Sequence, residues 1–157
     1  MIGAAIHQAP LHVPGAGHAD DRKGTIMDGP FVIRATSRIR PGVASSYRPL
    51  AQELCRLVEK REPRVLAYHI WVTEAEDSEV VLQVHPDAAS LEHHLEILGD
   101  TARSTLEYAE FETLEVYGTP TDGLRAMFEA LAPQVRVTFH PVHWGGFTRP
   151  VAAPSSG

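Results

Sequence analysis

The sequence lacks features that several classes of protein require. Cys55 is the only cysteine, which excludes an intrachain disulfide and a cysteine-based zinc site and fits a reducing, cytoplasmic location. Only 14 Lys and Arg stand against 20 Asp and Glu, so the cationic surface that binds nucleic acid is not expected. No apolar run reaches the roughly 20 residues of a membrane-spanning helix. We expect a soluble, cytoplasmic protein with neither nucleic-acid nor membrane partners.

What is present is enough for one hydrophobic core. The 157 residues are 43% hydrophobic, which suits a single domain of ordinary size. Proline, glycine and polar residues interrupt the first 28 residues so often that no apolar stripe or strand pattern forms there. We therefore predict a flexible leader over 1–28, one domain over 29–149 and a short tail over 150–157.

Apolar periodicity predicts the order of the elements within that domain. Two-residue alternation predicts four strands, and apolar residues three and four apart predict a helix after the first and after the third strand. The predicted strands are 31–39, 65–73, 79–85 and 111–117. Ser45 or Ser46 can cap the first helix and Asp87 the second, and Pro63 ends the first. The pattern βαββαβ predicts an α+β, ferredoxin-like antiparallel sheet with helices on one face.

A further helix and strand follow this core. Thr121 can cap a helix that Pro133 ends, and alternation over 135–140 predicts a fifth strand. The domain thus divides into a core over 31–118 and a C-terminal helix–strand extension over 119–149. The aromatic side chains of Phe139, Trp144 and Phe147 are expected to be covered.

Four segments resemble the antibiotic biosynthesis monooxygenase family of the dimeric α+β barrel superfamily. They are IRPG (39–42), EPRVLAY (62–68), VLQVHPD (81–87) and SLEHHL (90–95). The resemblance covers about 31–118 and implies a homodimer in which the uncovered sheet faces of two subunits close on each other. It also implies a cofactor-free oxygenase acting on a small molecule.

The chain departs from that family at particular positions. Members commonly carry a glutamate and an aromatic residue where this chain has Gln83 and His85. The heme-degrading branch uses an asparagine and a tryptophan, whereas this chain offers Arg34 and Thr36 on its first strand. Heme degradation is therefore not expected, while His94 matches a histidine that often follows on the helix.

The pleat of the predicted strands selects candidate ligand-binding residues. If the strictly apolar faces pack on the helices, polar side chains of three strands line a pocket on the uncovered face. These are Arg34 and Thr36, His69 and Trp71, and Gln83 and His85. The second strand is apolar on both faces, and the opposite orientation would replace His69 and Trp71 with Tyr68 and Ile70.

His94 is the leading catalytic candidate, because its place in the apolar stripe Leu91, Leu95 and Leu98 would desolvate the ring and favour its neutral, proton-accepting form. The alternative is a hydrogen-bonded histidine of the core. His69, His85 and His94 could also converge as three metal ligands, although no metal is expected.

The resemblance and these residues together suggest a cofactor-independent monooxygenase acting on an aromatic, quinol or polyketide-type molecule. His94 or His85 would deprotonate a phenol, and Arg34 and Trp71 would hold the anion. Arg34 could instead form an ion pair with Glu112 or Glu115. The sequence contains no glycine-rich phosphate loop after a strand, so a nucleotide cofactor is not expected. The alternatives are a cyclase, isomerase or decarboxylase on a similar substrate, and a non-catalytic dimeric binding module.

Overall fold

The computed structural model describes residues 29–148, so the predicted leader (1–28) and tail (150–157) lie outside the described residues. The elements are β1 (Phe31–Ile39), α1 (Ala44–Arg61), β2 (Ala67–Val72), β3 (Ser78–His85), α2 (Ala88–Thr105), β4 (Ala109–Tyr117), α3 (Asp122–Leu131) and β5 (Arg136–His140). Their order confirms the predicted βαββαβ core and its helix–strand extension.

The strands form one open sheet in the order β2-β3-β1-β4-β5. The first four strands pair antiparallel, and β5 adds to the edge parallel to β4. This arrangement is the α+β, ferredoxin-like fold that the sequence predicts.

The hydrophobic core lies between the helices and one face of the sheet. Phe31, Ile33 and Val116 from the strands are buried together with Leu91 of α2 and Phe128 of α3. Because side chains alternate along a strand, the even-numbered residues of β1 project from the opposite face, which is more exposed. We call these two surfaces the helix-covered face and the open face.

Helix starts follow the predictions at two of three sites. The Asp87 side chain accepts a hydrogen bond from Ser90 N at 2.8 Å, and Thr121 accepts one from Leu124 N at 3.2 Å. The prediction that Ser45 or Ser46 caps α1 is wrong, because the helix begins at Ala44 after Val43 and has no side-chain cap. Pro49 consequently lies inside α1 rather than in its first turn.

Two irregularities interrupt the regular elements beside the core. The backbone of α2 is non-helical at Gly99 (φ 14°, ψ −96°), which kinks the helix. The register between β1 and β4 shifts between Thr36 and Ser37, so β4 contains a bulge there.

The C-terminal aromatic side chains differ in their surroundings. Phe139 packs against the main core, and its ring lies under Arg125 and near Phe128. Trp144 and Phe147 are 97% and 80% exposed, so the expected cover over them is not found within residues 29–148. None of the helices described is both long and apolar enough to cross a bilayer.

Candidate functional site

The register of β3 against β1 places Gln83 and His85 on the helix-covered face. His85 stands opposite Phe31, and Gln83 stands opposite Ile33, both of which are core residues. Residues directly opposite each other on paired strands project from the same face. The prediction that Gln83 and His85 share a pocket with Arg34 is therefore wrong. They lie beneath α2, on the other side of the sheet.

The register of β2 against β3 decides between the two orientations left open for β2. Tyr68 pairs with Gln83 and lies on the helix-covered face. His69 and Trp71 project from the open face, where their rings lie 5.0 Å apart. The eight candidate residues thus divide into two groups, and only His94, His85, Gln83 and Tyr68 lie together.

The open-face candidates bond to neighbours across the sheet. The Arg34 guanidinium donates to Glu115 Oε2 at 2.7 Å, which is one of the two ion pairs considered for it. This hydrogen bond holds the pKa of Glu115 below its usual range. The Thr36 and Thr113 hydroxyls lie 2.5 Å apart. Arg34 consequently cannot hold an anion beside His94, because the sheet separates them.

His94 forms a buried pair with Glu62. His94 Nδ1 lies 2.8 Å from Glu62 Oε2, and the two residues are only 1% and 3% exposed. Glu62 follows the last residue of α1 and precedes Pro63, which cannot continue the helix. The end of α1 thus directs this carboxyl group at the inward face of α2. The hydrogen bond engages Nδ1 and leaves Nε2 as the ring nitrogen available to a ligand.

Burial determines how this pair titrates. It lowers the pKa of His94 to about 4 and raises the pKa of Glu62. When the His94–Glu62 pair holds a single proton, that proton is on Nδ1. The carboxylate then accepts a hydrogen bond from Nδ1–H, and Nε2 is an unprotonated base. When the pair holds two protons, the carboxylic acid of Glu62 donates to Nδ1 and Nε2–H is a donor. The pair can therefore take a proton from a bound ligand and return it.

His85 supports this pair from β3. Its ring lies edge-on to that of His94, with centroids 5.4 Å apart. Ser90 Oγ lies 3.1 Å from His85 Nδ1, and Gln83 Oε1 lies 3.2 Å from Nε2. If Nε2–H donates to Gln83 and Ser90 donates to Nδ1, both ring nitrogens are satisfied. Burial and then the neighbouring His94 lower the pKa of His85 to about 4.

The three-histidine group considered as a metal site does not form. His85 and His94 lie side by side, but His69 projects from the opposite face of the sheet. Within residues 29–148 no three His, Cys, Asp or Glu side chains are grouped so that they could hold a metal ion.

A cavity of about 360 Å³ lies between the helix-covered face and the helices, and His94, Tyr68 and Gln83 line it. The Tyr68 ring lies 5.6 Å from that of His94, and burial raises its pKa, so Tyr68 is an uncharged phenol. Most of the remaining wall is apolar, including Ile33, Leu95 and Leu98. The cavity can enclose a largely apolar molecule and present it to a histidine base.

Sequence reasoning missed three polar residues of this cavity region. Glu62 borders it as the partner of His94, and Glu79 and Tyr47 line it. Glu62 resembles any solvated glutamate at the end of a helix. Its one signal is the following Pro63, which shows where the helix stops but not what the carboxyl group meets.

No family model and no curated protein matches the chain, whereas solved structures do. MupZ from Pseudomonas fluorescens is 21% identical with a TM-score of 0.60, over 79% of this chain and 98% of that one. An antibiotic biosynthesis monooxygenase is 22% identical with a TM-score of 0.50, over 58% and 99% of the two chains. A Bacteroides thetaiotaomicron protein described as a possible oxidoreductase is 18% identical with a TM-score of 0.51, over 57% and 96%.

These likenesses extend over nearly the whole of each solved chain. At such identities a likeness identifies the fold and not the reaction. The chain has the α+β fold of an antibiotic biosynthesis monooxygenase, which confirms at the level of the fold the resemblance seen in its sequence.

Proposed function

We propose that the protein is an enzyme that encloses a largely apolar, aromatic or polyketide-type molecule and removes a proton from it with His94. The observation that carries this proposal is the buried hydrogen bond between His94 and Glu62 at the wall of the 360 Å³ cavity. A core histidine needs a hydrogen-bond partner but no cavity. A histidine that has both is arranged to meet a ligand.

The reaction we propose is a cofactor-independent monooxygenation. His94 Nε2 accepts the proton of a phenol, or of a methylene group beside a phenol, and Glu62 stabilises the imidazolium that forms. The amide oxygen of Gln83 faces His85, and the amide N–H groups of Gln83 donate to the anion. The electron-rich anion then reduces dioxygen. For a methylene group the balance is R₂CH₂ + O₂ → R₂C=O + H₂O, and the substrate supplies all the electrons.

The proposed class of reaction is supported by the fold as well as by the His94–Glu62 pair. Solved structures with this fold include an antibiotic biosynthesis monooxygenase and a protein described as a possible oxidoreductase. A substrate that supplies its own electrons needs only a proton acceptor and a largely apolar pocket, and the cavity offers both.

We also propose that the protein works as a homodimer that buries the open face. Trp71 projects from that face and is 53% exposed, Val80 stands opposite it on β3, and Leu82 stands opposite His69 on the same face. An apolar patch on an uncovered sheet favours association with a second copy.

Oxygen consumption with a panel of naphthols, anthrones and quinols tests the reaction. We expect turnover in air with uptake of one O₂ per product and none under anaerobic conditions. His94→Gln should abolish it, while His93→Gln, which changes the exposed neighbour on the same helix, should not. Equal activity of the two variants would contradict the assignment of His94.

A proton transfer without oxygen is the second candidate, because the His94–Glu62 pair alone can serve an isomerase, cyclase or decarboxylase. Turnover that requires His94 and is equal in air and under nitrogen would select this candidate. Binding without turnover would indicate a binding module.

A further inference from the structure

Glu79 lies where two cavities meet. It lines the cavity that contains His94 and also a second cavity of about 300 Å³ beside α1, and Tyr47 and Ile70 likewise line both. Tyr47 and Glu79 are the polar side chains of this shared wall, which has no part in the proposed proton transfer.

The carboxyl group of Glu79 is buried and incompletely hydrogen-bonded. Glu79 is 3% exposed, and Tyr47 donates to its Oε1 at 3.1 Å. Ser37 stands opposite Glu79 on β1 and its hydroxyl faces the same carboxyl group, but in the described part of the chain no hydrogen bond of ordinary geometry joins Ser37 Oγ or Glu79 Oε2 to a partner. Leaving a buried acceptor unpaired costs free energy, so this oxygen is suited to a donor brought by a ligand.

The strand geometry gives the length of such a ligand. Glu79 and Gln83 lie on the same face of β3, four residues apart, which corresponds to roughly 13 Å along the strand. Gln83 is at the end near His85 and His94, and Val81 lies between the two polar residues. Along β3 the cavity wall therefore has a polar residue at each end, Gln83 beside His94 and Glu79 at the far end, with the apolar Val81 between them.

We propose that Glu79, held by Tyr47, determines specificity by accepting a hydrogen bond from a hydroxyl group at the far end of an elongated, otherwise apolar ligand. This inference rests on the proposed function, since it places the substrate in the same cavity. It adds that a substrate with hydroxyl groups at both ends binds better than one with a hydroxyl at one end.

Calorimetric binding of biphenyl-4,4′-diol and biphenyl-4-ol tests the inference. We expect the wild-type protein to bind the diol roughly tenfold more tightly, as for a hydrogen bond to a buried charged group. Glu79→Leu should remove this preference, and Glu79→Gln, which keeps the shape of the side chain, should reduce it. The control Glu74→Gln, in the exposed turn between β2 and β3, should keep it.

A preference that is unchanged in both Glu79 variants overturns the inference, as does a wild-type protein that binds neither probe. The readout requires no turnover. A preserved preference in a protein that consumes no oxygen would therefore contradict only the proposed reaction, and oxygen consumption with no dependence on Glu79 would contradict only this inference.

Discussion

His94 Nδ1 lies 2.8 Å from Glu62 Oε2, and this contact joins α2 to the end of α1 inside the protein. The remaining carboxyl oxygen, Glu62 Oε1, has no hydrogen-bond partner among residues 29–148. An incompletely satisfied buried pair is a weak source of stability. Its presence beside a cavity is better explained by chemistry than by folding.

Removing either partner should destabilise the protein unequally. His94→Leu leaves the Glu62 carboxyl group buried without its partner and should cost about 3 to 5 kcal/mol. Glu62→Leu leaves a neutral imidazole unpaired and should cost about 1 to 3 kcal/mol. The double variant should cost less than the sum, because the two side chains are in contact. Urea unfolding of the four proteins measures this, and additive costs would show that the two side chains do not interact in solution.

Acid should destabilise the protein through its buried histidines. His85 and His94 have a pKa of about 4 in the folded protein and about 6.5 when unfolded. Between these values the unfolded chain binds protons that the folded protein does not. The free energy of unfolding should therefore fall as the pH decreases from 6.5 to 4 and be insensitive to these groups above that range.

Unfolding in urea between pH 4 and pH 8 measures this slope. His85→Gln should flatten it, because the amide does not titrate. The control Gln134→Ala, which changes an exposed side chain without a titratable group, should leave it unchanged. The raised pKa of Glu62 has the opposite effect, because stability gained by a protonated carboxyl group is lost as the pH rises from about 4.5. A wild-type slope equal to that of His85→Gln would contradict the prediction.

The elements could be predicted because their patterns are local. In β1 the face with Phe31, Ile33 and Ala35 is apolar while the other face is mixed, so the strand and its buried face follow from the sequence alone. The caps Asp87 and Thr121 are equally local, since each bonds a backbone N–H three residues ahead. α1 begins earlier than predicted, at Ala44, and this start could not be predicted because Val43 has no capping side chain to mark it.

The site could be predicted only in part, because it depends on contacts between distant residues. The face of β3 with Gln83 and His85 is the more polar one, so the apolar face with Leu82 was expected to meet the helices. Only the pairing with β1 shows the reverse. Glu62 and His94 are separated by 32 residues, and no local pattern brings them together. The place of His94 on the inward side of α2 was predicted, because the apolar stripe around it is local.

The open face should mediate dimerisation. Trp71→Glu introduces a charge into the surface that we expect two subunits to bury, so the variant should be monomeric at concentrations where the wild-type protein is a dimer. Leu131→Glu is the control, because Leu131 is also exposed but lies on α3, which packs on the other face of the sheet. Light scattering distinguishes the states. A monomeric wild-type protein, or a dimeric Trp71→Glu variant, would contradict the prediction.

Glu62 should control the pH dependence of catalysis. In Glu62→Gln the amide oxygen can still accept from His94 Nδ1–H, but it can neither hold the second proton nor stabilise the imidazolium with a negative charge. We expect kcat to fall about 100-fold or more, as for the loss of effective general base catalysis. We also expect the ionisation seen in the dependence of kcat/KM on pH to move to lower pH, because His94 then titrates without the negative charge of Glu62 beside it.

The matched control is Glu59→Gln, which neutralises an exposed carboxylate on the last turns of α1. Its kcat and pH profile should equal those of the wild-type protein. A purely structural role for Glu62 would lower the melting temperature of Glu62→Gln but leave the pH profile of the folded fraction unchanged. The position of the profile, measured on protein shown to be folded, therefore separates catalysis from folding, because a change confined to stability does not alter the pKa of the base.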